Sequence, residues 1–194
     1  MDLRFIKAFT APGETPLLGY RMRPFSLKHR LALHAIESPF VTPGKAMTVI
    51  DLFQAIKICA EKSIRKLTFM DVCRMSYIKA KPGRLEAYVK AFFEHSNISH
   101  WPKFWERSRQ EGGSKGVPWI LSVASNLICN GWEEEAAWSL PESQAVWYHT
   151  AISIRNGNEV SLMSDGEEDL MANFDKFSAA AKAKPRIYKK QKAD

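Results

Sequence analysis

Apolar positions along this chain recur mostly at three- and four-residue intervals, not at two, and polar breaks bearing Ser, Thr, Gly or Pro separate the runs. That spacing is helical, because 3.6 residues per turn bring i, i+3, i+4 and i+7 onto one face. Ser26 is a suitable N-cap for a helix in which Leu27, Leu31, Ala35 and Ile36 recur before Pro39 closes it. Thr48, with Asp51 three residues on, has the form of a capping box, although Glu or Gln is the commoner partner. It opens "VIDLFQAIKICAEK", where Val49, Leu52, Phe53, Ile56 and Cys59 or Ala60 make one broad apolar stripe. Thr68 and Asp71 repeat the device ahead of "FMDVCRMSYIKA", which stops near "KPG". From Arg84 a longer helix turns Leu85, Tyr88, Val89, Phe92 and Phe93 inward.

Farther along, "VPWILSVASNLICNG" predicts a helix with Pro118 in its first turn and Gly131 beyond its end. "WEEEAAW" reads as a short helical connector. Ser139 as cap and Pro141 in the first turn begin a helix on which Ala145, Tyr148, Ala151 and Ile152 share a face, widened by Val146 and Trp147. "NGN" at 156–158 ends it, and Ser164 with Glu167 caps a last helix whose acids suit the helix dipole. The first 24 residues, with Pro12, Gly13, Pro16, Gly19 and Pro24, predict an irregular lead or a short strand pair around "LRFIKAF" and "LLGYRMR". The expectation is an all-α fold, a compact bundle of about seven helices. It divides into an N-terminal helical lobe with its lead (1–95), a polar, Gly-rich linker (96–116), a Trp-rich C-terminal helical lobe (117–181) and a disordered basic tail (182–194).

Composition supports a folded body: 45% of the 194 residues are apolar. The net charge of +7 invites a nucleic-acid reading until the charges are located. The segment 182–194 holds six of the 28 basic residues and one of the 21 acids, so the body is nearly neutral. An alternative function therefore runs through that tail, with Lys184, Arg186, Lys189, Lys190 and Lys192 touching nucleic acid, while the plainer reading is a solvated tail. Cys59, Cys73 and Cys129 are odd in number, widely spaced and set among apolar residues, which suggests buried thiols in a reducing compartment. With no signal-peptide pattern in the first 19 residues and no apolar run long enough to span a bilayer, the cytoplasm is the expected location and no membrane partner is expected.

Chemistry finds few candidates. There is no GxSxG elbow, and Ser143 and His149, six apart on a helix, point in different directions. His29 and His34 are five apart and lack a completing carboxylate, so no metal is expected. "GGSKG" at 112–116 lacks the phosphate-loop spacing, and the acidic runs "EEE" and "DGEED" suit solvation and capping. The expectation is a chain with no catalytic residues and no cofactor. The unusual feature is six tryptophans, all within 101–147, which serve either as bulky core fill or as anchors where a groove receives a partner's apolar helix.

Three stretches taken together, "MRPFSLKHRLALHAIESPF" at 22–40, "DLFQAIKICAE" at 51–61 and "WSLPESQAVWYHTAISIRNGNEVSLMSDGEEDLM" at 138–171, resemble tail assembly chaperones of long-tailed bacteriophages and prophages. The resemblance is carried by a Leu-Pro helix with aromatic and alanine positions, a Gly-Asn turn, and Ser-Asp-Gly-Glu-Glu opening a final helix. It implies a non-enzymatic helical protein of the host cytoplasm that coats the tape-measure protein, or another tail protein, until tail-tube subunits polymerise around it. The contact positions it implies here are Trp138, Leu140, Trp147, Tyr148 and Ile152 in the late helix, with Phe53 and Ile56 in the early one. The basic tail and the aromatic linker have no counterpart in that pattern. They keep open a structural virion or tail subunit, which would self-associate through a large symmetric interface.

Overall fold

The computed structural model describes residues 2–10, 13–42, 44–64, 66–96, 98–104, 117–158, 161–164, 166–171 and 173–174. The tail assigned to nucleic acid, Trp105 and most of the expected linker lie outside these residues. Eight α-helices, one 3-10 turn, four short strands and further helical backbone at 166–171 and 173–174 make up the described part. The fold is mostly helical, as the periodicity predicts, but two small sheets interrupt it.

The lead departs from expectation. Leu3–Thr10 is a helix, α1, and its first turn is held by Asp2, whose carboxylate accepts the Arg4 N–H at 2.8 Å. Phe5 and Phe9 lie one turn apart on α1 and meet Trp147 and Tyr148 edge-on, with ring centroids 5.4 Å apart in each pair. Tertiary aromatic contact thus supports a helix in a segment that Pro12 and Gly13 closely follow. The hairpin follows one step later, β1 (Thr15–Leu17) pairing antiparallel with β2 (Tyr20–Met22). Its two-residue turn puts Leu18 at φ 50° and Gly19 at φ 75°, the pair of left-handed conformations that matches strand twist.

Four of the capping residues act as read, and Ser139 does not. Ser26 accepts the His29 N–H at the start of α2 (Leu27–Ala35), and the His29 ring reaches back to the Ser26 N–H. Thr48 with Asp51 opens α3 (Val49–Cys59), and Thr68 with Asp71 opens α4 (Phe69–Lys79). α5 (Arg84–His95) leads to a 3-10 turn (Ile98–His100) and to β3 (Lys103–Phe104). Then come α6 (Trp119–Cys129), α7 (Glu134–Ser139), α8 (Glu142–Arg155) and β4 (Leu162–Met163), which pairs with β3. Ser139 ends α7 and does not cap α8; Pro141 holds the cap position with no side-chain bond. Ser164 and Glu167 bond reciprocally before helical backbone at 166–171 and 173–174.

Two apolar clusters hold these elements. The first gathers Met22, Leu33, Leu52, Phe53, Ile56 and Phe92 from β2, α2, α3 and α5. The second gathers Leu27, Ile120, Val123, Ala124, Leu127 and Ala145 from α2, α6 and α8. Helix α2 serves both, through Leu33 on one side and Leu27 on the other. Arg30, between them on α2, forms an ion pair with the fully buried Glu142 at the start of α8. The Glu142 N–H adds a bond to the Phe25 carbonyl at 2.8 Å. Of the cysteines only Cys59 is buried, whereas Cys73 and Cys129 are exposed, because α4 and α6 each turn that position away from the core. No helix among the described residues is long and apolar enough to cross a membrane.

Candidate functional site

On α2 the inward positions are Leu27, His29, Arg30 and Leu33, which rotates Leu31 outward to 49% exposure although its spacing from Leu27 reads as one stripe. Facing it, Pro118 starts α6 and leaves Trp119 and Leu121 at 40% and 45% exposure. Trp138, near the end of α7, stands half-buried between them. Together they line a hollow of about 550 Å³, with His34 on its edge. A second hollow of about 490 Å³ shares Leu31 and Trp138 and is rimmed by Lys28, Glu134 and Glu135. The result is an apolar groove with a polar margin.

One wall of this groove is held from beneath. The Arg30 guanidinium lies 5.5 Å from the ring centroids of Phe25, Trp101 and Trp119 alike. Trp101 meets Trp119 edge-on at 5.2 Å. A cation packed among three aromatic faces and tied to Glu142 holds the Trp119 ring in place. Burial pushes the Glu142 carboxyl up to about 7 against the pull of Arg30, and burial with the Arg30 charge lowers His34.

The expected contact residues divide. Trp138 is in the groove. Leu140 and Tyr148 are half-buried against the second cluster, and Tyr148 also packs edge-on to Phe9 and at a tilt to Trp132. Trp147 and Ile152 are each only 9% exposed, and the Trp147 indole N–H donates to the His100 carbonyl at 2.9 Å. Phe53 and Ile56 are enclosed in the first cluster. In this structure these last four are packing residues, each 9% exposed or less, and none of them borders the groove around Trp138. Leu31, Trp119 and Leu121 line the groove without having been picked out for it in the sequence, because apolar periodicity does not tell a stripe that is covered from one left open.

The other gathering of ionisable groups is a closed one. Lys57 and Asp71, both nearly inaccessible, pair at 2.7 Å, and the Lys57 ammonium also donates to the Lys66 carbonyl at 2.6 Å. Tyr20 donates its hydroxyl to Asp71, and Arg74 stacks 5.2 Å from the Tyr20 ring centroid. Burial alone would raise the Asp71 carboxyl, but Lys57, Tyr20 and Thr68 overcome it and hold it well below the usual range. Burial and the Asp71 charge push the Tyr20 hydroxyl up to about 12. Every partner in this network is already engaged, so it braces α3 against α4 and leaves no group poised for proton transfer. His149 is occupied likewise, with Asn126 at 2.9 Å from its Nδ1. Among the described residues no three His, Cys, Asp or Glu side chains come together as a metal site.

No family model, curated protein or solved structure matches this chain. What the groove does must therefore follow from its own chemistry. It offers apolar and aromatic side chains on three helices, an indole wall held in place, and charges confined to the margin.

Proposed function

We propose that the protein is a non-enzymatic assembly chaperone that shelters an apolar helical segment of a partner in the groove between α2, α6 and α7. The observation that carries this is the open apolar surface around Trp138, where Leu31, Trp119 and Leu121 each keep 40% or more of their area exposed. Apolar side chains left uncovered beside one another favour a partner that buries them. Helical segments present such partners as ridges at i, i+3, i+4 and i+7, which insert between facing helices. Indole and leucine contacts accept many apolar ridges without demanding one sequence, which suits a chaperone. The resemblance to tail assembly chaperones supplies the client class, the tape-measure protein, and the host cytoplasm as the place of action.

Calorimetric titration with an amphipathic helical peptide taken from such a client tests the reading. Leu31→Glu removes about 1.5–3 kcal/mol of apolar burial and sets a charge in the groove, so the dissociation constant rises at least about tenfold. The reading fails if Leu31→Glu binds the peptide as the parent chain does.

A further inference from the structure

A second apolar surface lies on the other core. Helix α4 buries only Asp71 and Ile78 of its eleven residues. Leu67, Phe69, Met70 and Val72, at its start, are 60%, 79%, 56% and 48% exposed. They adjoin a hollow of about 240 Å³ between α3 and α4, walled by Ile50, Phe53, Ile64, Leu67, Val72 and Met75. Lys57 and Lys79 line the hollow, and the exposed Lys62, Lys66 and Lys81 flank α4 along the chain. Asp71, the one acid from 62 to 81, is buried against Lys57 and offsets none of that exposed charge.

The complement of this surface is on the same chain. No Lys or Arg occurs from 156 to 175, and of the three acids on the helical backbone from 166, Glu167 bonds Ser164 and Glu168 pairs with Arg4 and Lys103, which leaves Asp169 as the acid not engaged in those contacts. Leu170, Met171 and Phe174 on that backbone are 70%, 42% and 67% exposed, and Leu170 and Phe174 are one turn apart on one face. Its base is fixed to the body by the β3–β4 pairing and by Glu168, which binds Arg4 at 3.3 Å and also Lys103. Those anchors sit beside α1, whereas the basic hollow is formed by α3 and α4.

We infer that the acidic, apolar-faced helical backbone described at 166–171 and 173–174 of one copy docks on the basic-flanked hollow between α3 and α4 of a second copy. Opposite charge at the margin and leucine and phenylalanine against leucine, phenylalanine and valine at the centre give each surface what the other lacks. The two surfaces differ, so the contact is heterologous and extends head to tail into a ring or a short filament. Higher salt weakens it, because the charges at its margin are exposed.

Light scattering after size exclusion, run over a range of concentrations, tests this on the full chain. The parent's mass should climb from 22.1 kDa as concentration rises. Phe69→Ser with Val72→Ser removes the hollow's face, and Leu170→Ser with Phe174→Ser removes the docking face. Each double variant alone should stay at one chain, with unchanged circular dichroism because all four side chains are largely exposed. Mixed in equal amounts, they should form pairs and stop at two chains, since one intact face of each kind remains. A parent that is monomeric throughout overturns the inference, as does either variant associating alone or a mixture that does not pair. A monomeric parent that sediments with phosphatidylserine vesicles overturns it in favour of an anionic lipid surface. None of these substitutions touches Leu31 or Trp138, so peptide binding in the other groove is unaffected by either result.

Discussion

Asp71→Asn isolates what burial adds to a capping residue. Asp71 is wholly inaccessible, and its carboxylate receives the Lys57 ammonium at 2.7 Å, the Thr68 N–H at 2.9 Å and the Tyr20 hydroxyl. An asparagine offers one acceptor oxygen to those three donors and no charge to Lys57, whose side chain is 3% exposed. Removing one member of a buried ion pair costs about 3–5 kcal/mol, because the other charge stays buried without its counter-ion. In a chain of this length that lowers the melting temperature by about 10 °C. Asp51→Asn is the matched control: it holds the same position behind Thr48, with the Thr48 N–H also at 2.9 Å, but its bonds are at the exposed surface. There only a cap is weakened, at about 1 kcal/mol or less. Thermal melts and urea titrations followed by tryptophan fluorescence measure both. The pH dependence adds a second check. The folded-state pKa of Asp71 is depressed, so its contribution is present above the ordinary value of 3.8 and is lost as pH falls through the lower folded value. The parent should therefore show an acid-side loss of stability that Asp71→Asn largely lacks. Equal losses of about 1 kcal/mol for the two substitutions would refute the reasoning, since burial would then add nothing.

Glu142, with its carboxyl raised to about 7, titrates in the opposite sense. Its contribution is full below the ordinary 4.5 and is lost as pH rises through 7, so Glu142→Gln should flatten the decline in melting temperature between about pH 5 and about pH 8. A decline of the same size in the variant would contradict the assignment. A thiol reagent should modify Cys73 and Cys129 in the folded protein and reach Cys59 only after denaturation, because burial encloses that thiol and pushes it up to about 12. Rapid modification of three thiols in the native state would disprove that placement. In Gly19→Ala the new Cβ would stand 2.5 Å from Arg74 Nη2 on a backbone at φ 75°, so urea unfolding should show a loss of about 1 kcal/mol. An unchanged midpoint would show that the turn tolerates a side chain.

Four helix starts were legible because capping is local: Ser26, Thr48, Thr68 and Ser164 each bond a group three residues away, whereas Ser139 ends α7 and does not cap α8. Helix α1 was not, because its Phe5 and Phe9 face is stabilised by Trp147 and Tyr148, which nothing near residue 5 announces. The groove was legible at one residue, Trp138. Its other walls depend on how α2 is rotated, and that rotation is set by Arg30 reaching Glu142 as much as by the leucines. Phe53 and Trp147 carried the same apolar signal as Trp138, yet neighbouring helices cover them. Pattern identifies apolar residues, whereas the tertiary arrangement decides which of them stay open.

A photoreactive phenylalanine derivative placed at Trp138, in cells also producing the client, tests the central claim most directly. The same derivative at Lys90, an exposed position on α5, serves as the control. The account predicts a covalent adduct with the client from position 138, absent at 90 and abolished by Leu31→Glu. A client that co-purifies with the chain but crosslinks from position 90 and not from 138 would contradict it.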